Sequence, residues 1–453
     1  MPKKKTALTI EERLQQALVP AEEQPYEVPE NWVWVRLGEV NKYISKSVNP
    51  ISEPDKIFEL YSVPSMVDNY PEIIAGSDIG SSKQSVCKKD VLLCKINPRI
   101  NRVWKVSQFT DNELIASSEW IIIRNNHIDE NYLMYCFQSK YFREFMLSNV
   151  SGVGGSLMRA QPKYVQTYPI PLPPLSEQQR IVERIEELFA KLDEAKERLQ
   201  EVVDSFAVRK AAILHKAFTG ELTQQWRLEN GVSDESWEEK TIGEICSSLK
   251  YGTSKKSSDD GEVVVLRMGN LQNGEIDWSN LAYTSDEEDI KKYLLKSGDV
   301  LFNRTNSPEL VGKTSIYRGE MPAIYAGYLI KLDYEKNIVV GDYLNYYLNS
   351  SKAKEYYMQV KTDGVSQSNI NAKKIGEFEI PLPTLSEQHE IVRLIDDLLA
   401  RERAAQQAAE QALASIDLMK KSILARAFRG ELGTNKASEA SALELLKQVM
   451  AEG

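Results

Sequence analysis

Cationic and amide side chains crowd four short stretches of this chain. "KINPRINRVWK" (Lys95 to Lys105) sets Lys95, Arg99, Arg102 and Lys105 around Trp104. "FNRTNSPELVGK" (Phe302 to Lys313) carries Arg304, Asn306 and Lys313, and "KYGTSKKS" (Lys250 to Ser257) carries Tyr251, Thr253, Lys255 and Lys256. "GVSQSNINAKK" (Gly364 to Lys374) adds Gln367 and Asn369. Lysine and arginine neutralise phosphates or meet the guanine edge, and asparagine and glutamine match the adenine edge. Any one of these residues is equally well explained as solvated loop surface. Together, at matching places in two halves of the chain, they describe a surface that reads nucleic acid.

Groups that make or break bonds are missing. There is no GxxxxGK[ST] phosphate loop. No "NPPY" tetrapeptide of an amino-methyltransferase occurs, and "NPRI" (Asn97 to Ile100) shares only its first two letters. "SGVGGS" (Ser151 to Ser156) is Gly-rich but follows a helix-like stretch, which suits a loop better than a dinucleotide cradle. His127, His215 and His389 are too scattered for a metal site, and Cys87, Cys94, Cys136 and Cys246 show no CxxC spacing. Reduced thiols in a cytoplasmic protein fit that pattern. No apolar run approaches the roughly 20 residues of a membrane span, and the basic start "MPKKK" has no apolar core behind it, so it is not a signal peptide. The net charge of −10 argues mildly against nonspecific nucleic-acid binding. Residues 31–175 hold 16 Lys+Arg against 14 Asp+Glu, and residues 223–385 hold 19 against 25, so either could still present a basic face.

The elements that must position these loops occur twice. "IPLPPLSEQQRIVERIEELF" (Ile170 to Phe189) returns as "IPLPTLSEQHEIVRLIDDLL" (Ile380 to Leu399), 210 residues on with no gap. "RKAAILHKAFTGEL" (Arg209 to Leu222) matches "MKKSILARAFRGEL" (Met419 to Leu432) at the same offset. Trp32 and "LGEV" (Leu37 to Val40) pair with Trp237 and "IGEI" (Ile242 to Ile245); "DVLLCK" (Asp90 to Lys95) pairs with "DVLFNR" (Asp299 to Arg304), and "YLMY" (Tyr132 to Tyr135) with "YLNY" (Tyr343 to Tyr346). Such a period is far too long for a solenoid, so the repeat is a domain plus a helix. Lys95 stands where Arg304 does and Arg159 where Asn369 does: the scaffold repeats while the contact residues differ.

Each repeat is expected to run through β-rich segments to an "IPLP" strand end, because proline cannot donate to a ladder. Ser176 and Ser386 are the expected N-caps, with Glu177 and Glu387 complementing the helix dipole. A helix of roughly forty residues, ~60 Å long, then runs without Gly or Pro to Gly220 or Gly430. Ile181, Ile185, Leu188, Leu192, Ala195, Leu199, Val202 and Phe206 form a heptad seam; Ile391, Ile395, Leu398, Ala405, Ala409, Leu413 and Ile416 form a thinner one that Glu402 interrupts. An amphipathic helix lying on its own domain is the alternative, but such length favours pairing of the two helices. The expected class is α+β: two β-rich domains related by pseudo-two-fold symmetry, joined by two long helices in an antiparallel coiled coil. The expected segments are an arm (1–30), a first domain (31–175), a spacer helix (176–222), a second domain (223–385), a second spacer helix (386–432) and a tail (433–453). In the tail "ASALELLKQVM" (Ala440 to Met450) suits a short amphipathic helix.

These features resemble the specificity subunit of Type I restriction–modification enzymes. The carriers are the two "IPLPxLSEQ" helix starts, the two "AFxGEL" helix ends, "DVLFNRTN" (Asp299 to Asn306) and "LRMGNLQNGEID" (Leu266 to Asp277), and the resemblance covers nearly the whole chain. It implies two target-recognition domains, each reading half of a bipartite DNA site, with the helices as a ruler for the gap. It adds Arg267 and Asn270 to the candidate DNA contacts Lys95, Arg99, Arg102, Lys105, Arg159, Tyr251, Thr253, Lys255, Arg304, Asn306, Lys313, Gln367 and Asn369. It implies two methyltransferase subunits, using S-adenosylmethionine on adenine, docked on the helices, and restriction subunits using ATP and Mg. This chain would bind no cofactor and catalyse nothing. "DVLLCKINP" departs from the family's usual form, which makes Lys95 a weaker counterpart of Arg304. A specificity subunit for a fused methyltransferase–nuclease, or a coiled-coil scaffold without a DNA role, are the other readings open to this sequence.

Overall fold

The "IPLP" segments form edge strands. Pro169–Leu172 pairs antiparallel with Val33–Arg36, and Glu379–Leu382 pairs with Glu238–Thr241, each as a two-stranded sheet. A proline at every second position removes the donors a further strand would need. The carbonyls serve instead as acceptors: Tyr132 donates its hydroxyl to Pro171 O at 2.7 Å, and Tyr343 to Pro381 O at 2.6 Å. The repeated tyrosine of "YLMY" and "YLNY" is thereby explained.

The computed structural model describes residues 9–151, 158–365 and 367–451. They divide into two units, one built from residues up to Leu199 together with those from Gln411 onward, the other from Gln200–Glu410. "SGVGGS" beyond Ser151 and the basic residues of "MPKKK" lie outside the described residues.

In the first unit, Val91–Cys94 is the centre of a three-stranded antiparallel sheet with Val103–Lys105 and Trp120–Ile123. A five-stranded sheet holds a parallel pair, Ile57–Tyr61 with Glu113–Ala116. The second unit repeats this plan. Val300–Asn303 lies between Thr314–Ile316 and Leu329–Tyr334 in a four-stranded sheet, and Val263–Leu266 runs parallel to Ala323–Tyr325. Helices Glu130–Gln138 and Lys140–Ser148 correspond to Gly341–Leu348 and Ser351–Val360. The fold is α+β, with two β-rich domains joined by long helices.

The helix starts are not capped by serine. Helices begin at Leu175 and Leu385, so Ser176 and Ser386 sit inside the first turn; Glu177 and Gln178 N–H groups donate to Pro174 O, and Thr384 Oγ1 accepts from Glu387 N at 3.4 Å. The glutamates do sit in the first turns, as expected, and both are fully buried there. Glu177 accepts from Trp32 Nε1 and from Asn435 Nδ2, each at 2.8 Å. Glu387 accepts from Thr223 Oγ1 and Arg227 Nη1, each at 2.7 Å, and from Trp237 Nε1 at 3.2 Å. The following glutamines, also buried, brace the domain: Gln178 accepts from Asp129 N and Gln388 from Val340 N. In each unit "SEQ" therefore ties the domain's leading tryptophan to the segment just after an "AFxGEL" helix end. Those ends turn at Gly220 and Gly430, whose φ of +81° and +75° only glycine adopts without strain.

The helices differ from expectation in two ways. The first is broken at Ser205 into Leu175–Asp204 and Phe206–Phe218, whereas Leu385–Ala427 is continuous. At the break Ser205 still donates to Glu201 O and accepts from Arg209 N, each at 3.0 Å, while the Arg209 guanidinium hydrogen-bonds Ser205 Oγ and donates to Val202 O at 3.0 Å. The first part of each predicted seam meets the domain as well as the partner helix. Ile181 and Ile185 join the first unit's core with Tyr132, Phe428 and Leu446, and Ile391 and Ile395 join the second unit's core with Tyr343 and Leu214. Farther along, helix meets helix within each unit. Asp193 pairs with Lys420 at 2.6 Å in the first, and Arg209 with Glu402 at 2.5 Å in the second. The Glu402 that interrupts the heptads is thus an ion-pair partner. In both units the pairing is antiparallel, residue numbers rising on one helix as they fall on the other.

The arm and tail both dock on the first unit. Ile10–Ala17 and Ala442–Ala451 are helices; Ala17, Leu446 and Val449 are in the core, Arg13 Nη1 donates to Met450 O at 3.1 Å, and Arg180 forks onto Glu439 at 2.8–2.9 Å.

Candidate DNA interface

Both units hold their candidate contacts on one backbone frame. In the second, Arg304 follows Val300–Asn303; its N–H donates to Tyr328 O at 3.0 Å and its carbonyl accepts from Ile370 N at 2.9 Å. In the first, Lys95 follows Val91–Cys94; its N–H donates to Glu119 O at 3.0 Å and its carbonyl accepts from Ala160 N at 2.8 Å. Thr305 pairs with Asn369, and Ile96 with Arg159. The correspondence of Lys95 with Arg304 and of Arg159 with Asn369 is therefore geometric as well as sequential.

The side chains on that frame diverge. The Arg304 guanidinium lies 4.8 Å from the Tyr251 ring centroid and donates to Asn369 Oδ1 at 3.3 Å and Gly327 O at 3.4 Å, while its Nε has no hydrogen-bond partner among the described residues. Asn369 Nδ2 in turn donates to Thr305 Oγ1 at 2.7 Å, and the Tyr251 hydroxyl accepts from Ala372 N at 2.9 Å. An aromatic face and an amide thus fix the direction of a planar fork, which is the geometry bidentate recognition of a base edge or a phosphate needs. Asn306 is half-buried nearby, with Oδ1 accepting from Ser307 N, and Gln367 is exposed two residues before Asn369. In the first unit, Arg159 meets Glu119 at 3.2 Å, so a carboxylate stands where the second unit has the exposed Tyr328.

Other candidates fare differently. Arg99 is exposed and Arg102 lies beside the Cys94 thiol, whose proton affinity is raised by burial and lowered in part by that guanidinium. Lys105 reaches Asn131 Oδ1 at 2.6 Å, Lys313 reaches Gln272 Oε1 at 2.8 Å, and Arg267 reaches Asn280 Oδ1 at 3.1 Å. Trp104 is no contact residue: it is buried in the first unit's second core and donates to Asn69. Two candidates are buried, and a third already has ionic partners. Thr253 is 5% exposed, bonded to the Asp289 carboxylate and to Lys255 N. Asn270 is 3% exposed and holds its own loop through Arg267 N, Asp277 O and Asn280 O. Lys255 is ringed by Asp286, Glu288 and Asp289 at 2.8–3.6 Å, and the bond to Asp286 chiefly raises its pKa, so its charge is already matched.

Gly327, Tyr328 and Glu119 were not legible as site residues. They reach the frame through strand pairings more than twenty residues long, and nothing local in "YLIKL" or "SSEW" marks them. Among the described residues, no group of three or more His, Cys, Asp or Glu could hold a metal ion, and no helix is long and apolar enough to cross a membrane.

Comparison with known proteins identifies the family of the chain. The family model described as the Type I restriction modification DNA specificity domain matches twice, over residues 29–204 and 234–412. The chain is 28% identical over 338 residues to the specificity subunit of the Type I restriction enzyme StySPI of Salmonella potsdam, covering 72% of each protein. It is 30% identical over 308 residues to that of EcoBI of Escherichia coli, covering 62% of this chain and 64% of the other. Its fold matches the crystal structure of the HsdS subunit from Thermoanaerobacter tengcongensis with a TM-score of 0.67 and 23% identity, over 90% of this chain and 99% of that one. With two such domains over most of its length, this chain belongs to the family of Type I restriction–modification DNA specificity subunits.

Proposed function

We propose that the two units read the two halves of a bipartite DNA target, the Arg304–Tyr251–Asn369 cluster serving one half and the Lys95–Arg159 surface the other. The observation that carries this reading is one backbone frame holding different side chains. Identical frames place a loop at the same depth in a groove, and different side chains then select different bases. Asn306, Lys313, Gln367 and Arg267 are further contacts to bases or phosphates beside the first cluster, and Arg99 and Arg102 beside the second; Lys105, opposite Val91 at the far end of the strand that leads to Lys95, is a more distant phosphate contact.

The chain itself makes no covalent change to DNA. It positions two methyltransferase subunits, which use S-adenosylmethionine to methylate adenine, and through them restriction subunits driven by ATP and Mg. The long helices set the gap between the half-sites. The test is a methylation map. The chain is expressed with its companion methyltransferase in a host lacking adenine methylation, and modified bases are located by long-read sequencing. One bipartite motif with a fixed gap is expected. A continuous motif, or the pattern of methyltransferase alone, would overturn the reading.

A further inference from the structure

The second unit contains a cavity whose lining carries three lysines and one acid. It has a volume of about 380 Å³ and is lined by Phe206, Lys210, Leu214, Glu309, Lys313 and Lys354, among others. Lys210 projects from Phe206–Phe218, and Lys354 lies in the first turn of Ser351–Val360, where the helix dipole adds positive potential. Arg403, on the long helix, acts on Lys210 as well. Among the described residues none of Lys210, Lys354 or Arg403 has an ion-pair partner. Burial, then Arg403 and Lys354, hold the Lys210 ammonium below its ordinary pKa. Lys210, Lys313 and Lys354 are therefore gathered on one lining that carries a single acid, Glu309.

The first unit shows how the same position looks without such a site. The residues 210 positions away from Lys210 and Arg403 are Lys420 and Asp193, and those two form an ion pair at 2.6 Å. Where one repeat places an aspartate opposite the lysine, the other places an arginine.

We infer that the Lys210 and Lys354 side of this cavity is a phosphate site that binds the DNA backbone beside the half-site read by the second unit. DNA is the favoured occupant because the cavity is continuous with the reading loop: residues 309–313 line it, and the same loop carries Arg304 and Asn306. The inference rests on the DNA reading above, and its test separates the two.

The full chain, assembled with its companion methyltransferase, is titrated with its mapped target duplex over a range of KCl. Lys210→Gln and Lys354→Gln should each reduce the slope of log affinity against log salt by roughly 0.9, the value of one released counterion, with base preference unchanged. Lys210→Arg should keep the slope, and Lys420→Gln, the paired counterpart, should leave it alone. A single methylphosphonate scanned along the flank should weaken the wild type at one position and cost Lys210→Gln nothing further there. An unchanged slope in both glutamine variants overturns the phosphate site. So does loss of the methyltransferase from the assembly at unchanged slope, which would assign the cavity to an acidic protein segment. If the wild type shows no bipartite preference, the DNA reading itself has failed.

Discussion

Arg304 is restrained on three sides, and each restraint has a consequence. Its loss removes a fork aimed by Tyr251 and Asn369, so Arg304→Ala should weaken target binding by about 1–3 kcal/mol and relax base preference in one half-site alone. Arg304→Lys should not restore that preference, because an ammonium cannot bond two acceptors in one plane. Binding to duplexes with either half-site scrambled checks both; equal loss at both halves would refute the assignment. Asp333 gives a second test on the neighbouring strand. Burial would raise its pKa, but hydrogen bonds from Lys250 and Lys331 at 2.8 and 2.7 Å, and from Ser248, outweigh burial and hold it at about 2. A folded pKa below the unfolded value of 3.8 means that its contribution is complete above about pH 4 and lost as pH falls towards 2. Urea midpoints between pH 5 and 2.5 should therefore fall less steeply in Asp333→Asn than in the wild type. Residue type and repeat position made Arg304, Asn369, Lys95 and Arg159 legible in the sequence. Burial did not follow from type, so Thr253, Asn270 and Trp104 read as contacts while serving the core.

At the scale of elements, the repeated motifs are joints. Glu387 is buried against a cation as well as a tryptophan, whereas Glu177 is met by neutral donors. Removing one partner of a buried ion pair costs about 3–5 kcal/mol, and leaving neutral donors unmatched about 1–3 kcal/mol. Calorimetry should therefore find the second unit lowered more by Glu387→Ala than the first unit by Glu177→Ala. The helices carry the other element-level prediction. A heptad inserted after Leu199 should change the gap in the mapped motif and leave both half-sites as they were; an unchanged gap would remove the ruler role. Heptad spacing made the helices and their partnership legible. It could not show that Ile181, Ile185, Ile391 and Ile395 pack on a domain as well as on the partner helix, because both surfaces ask for the same apolar side chains. Nor did it show the break at Ser205, where the apolar spacing continues unchanged.

For the whole molecule, the duplication was plain in the sequence, and the membership of each unit was not. Contacts such as Arg13 with Met450, or Asn31 with Ala442, span more than four hundred residues and leave no local pattern. The second unit is one continuous stretch, Gln200–Glu410, while the first needs residues from both sides of it. A chain ending at Glu410 should accordingly show the cooperative melting of the second unit and lack that of the first; two intact transitions would contradict the division. The same division sets an order on the ribosome. The first unit's sheets emerge first, but Phe428, Leu446 and Val449 of its core come more than two hundred residues later, roughly 10–40 s at ordinary rates of synthesis. During that interval the earlier half waits with an open apolar face while the later half completes itself, so translation and folding run through the two halves in opposite order.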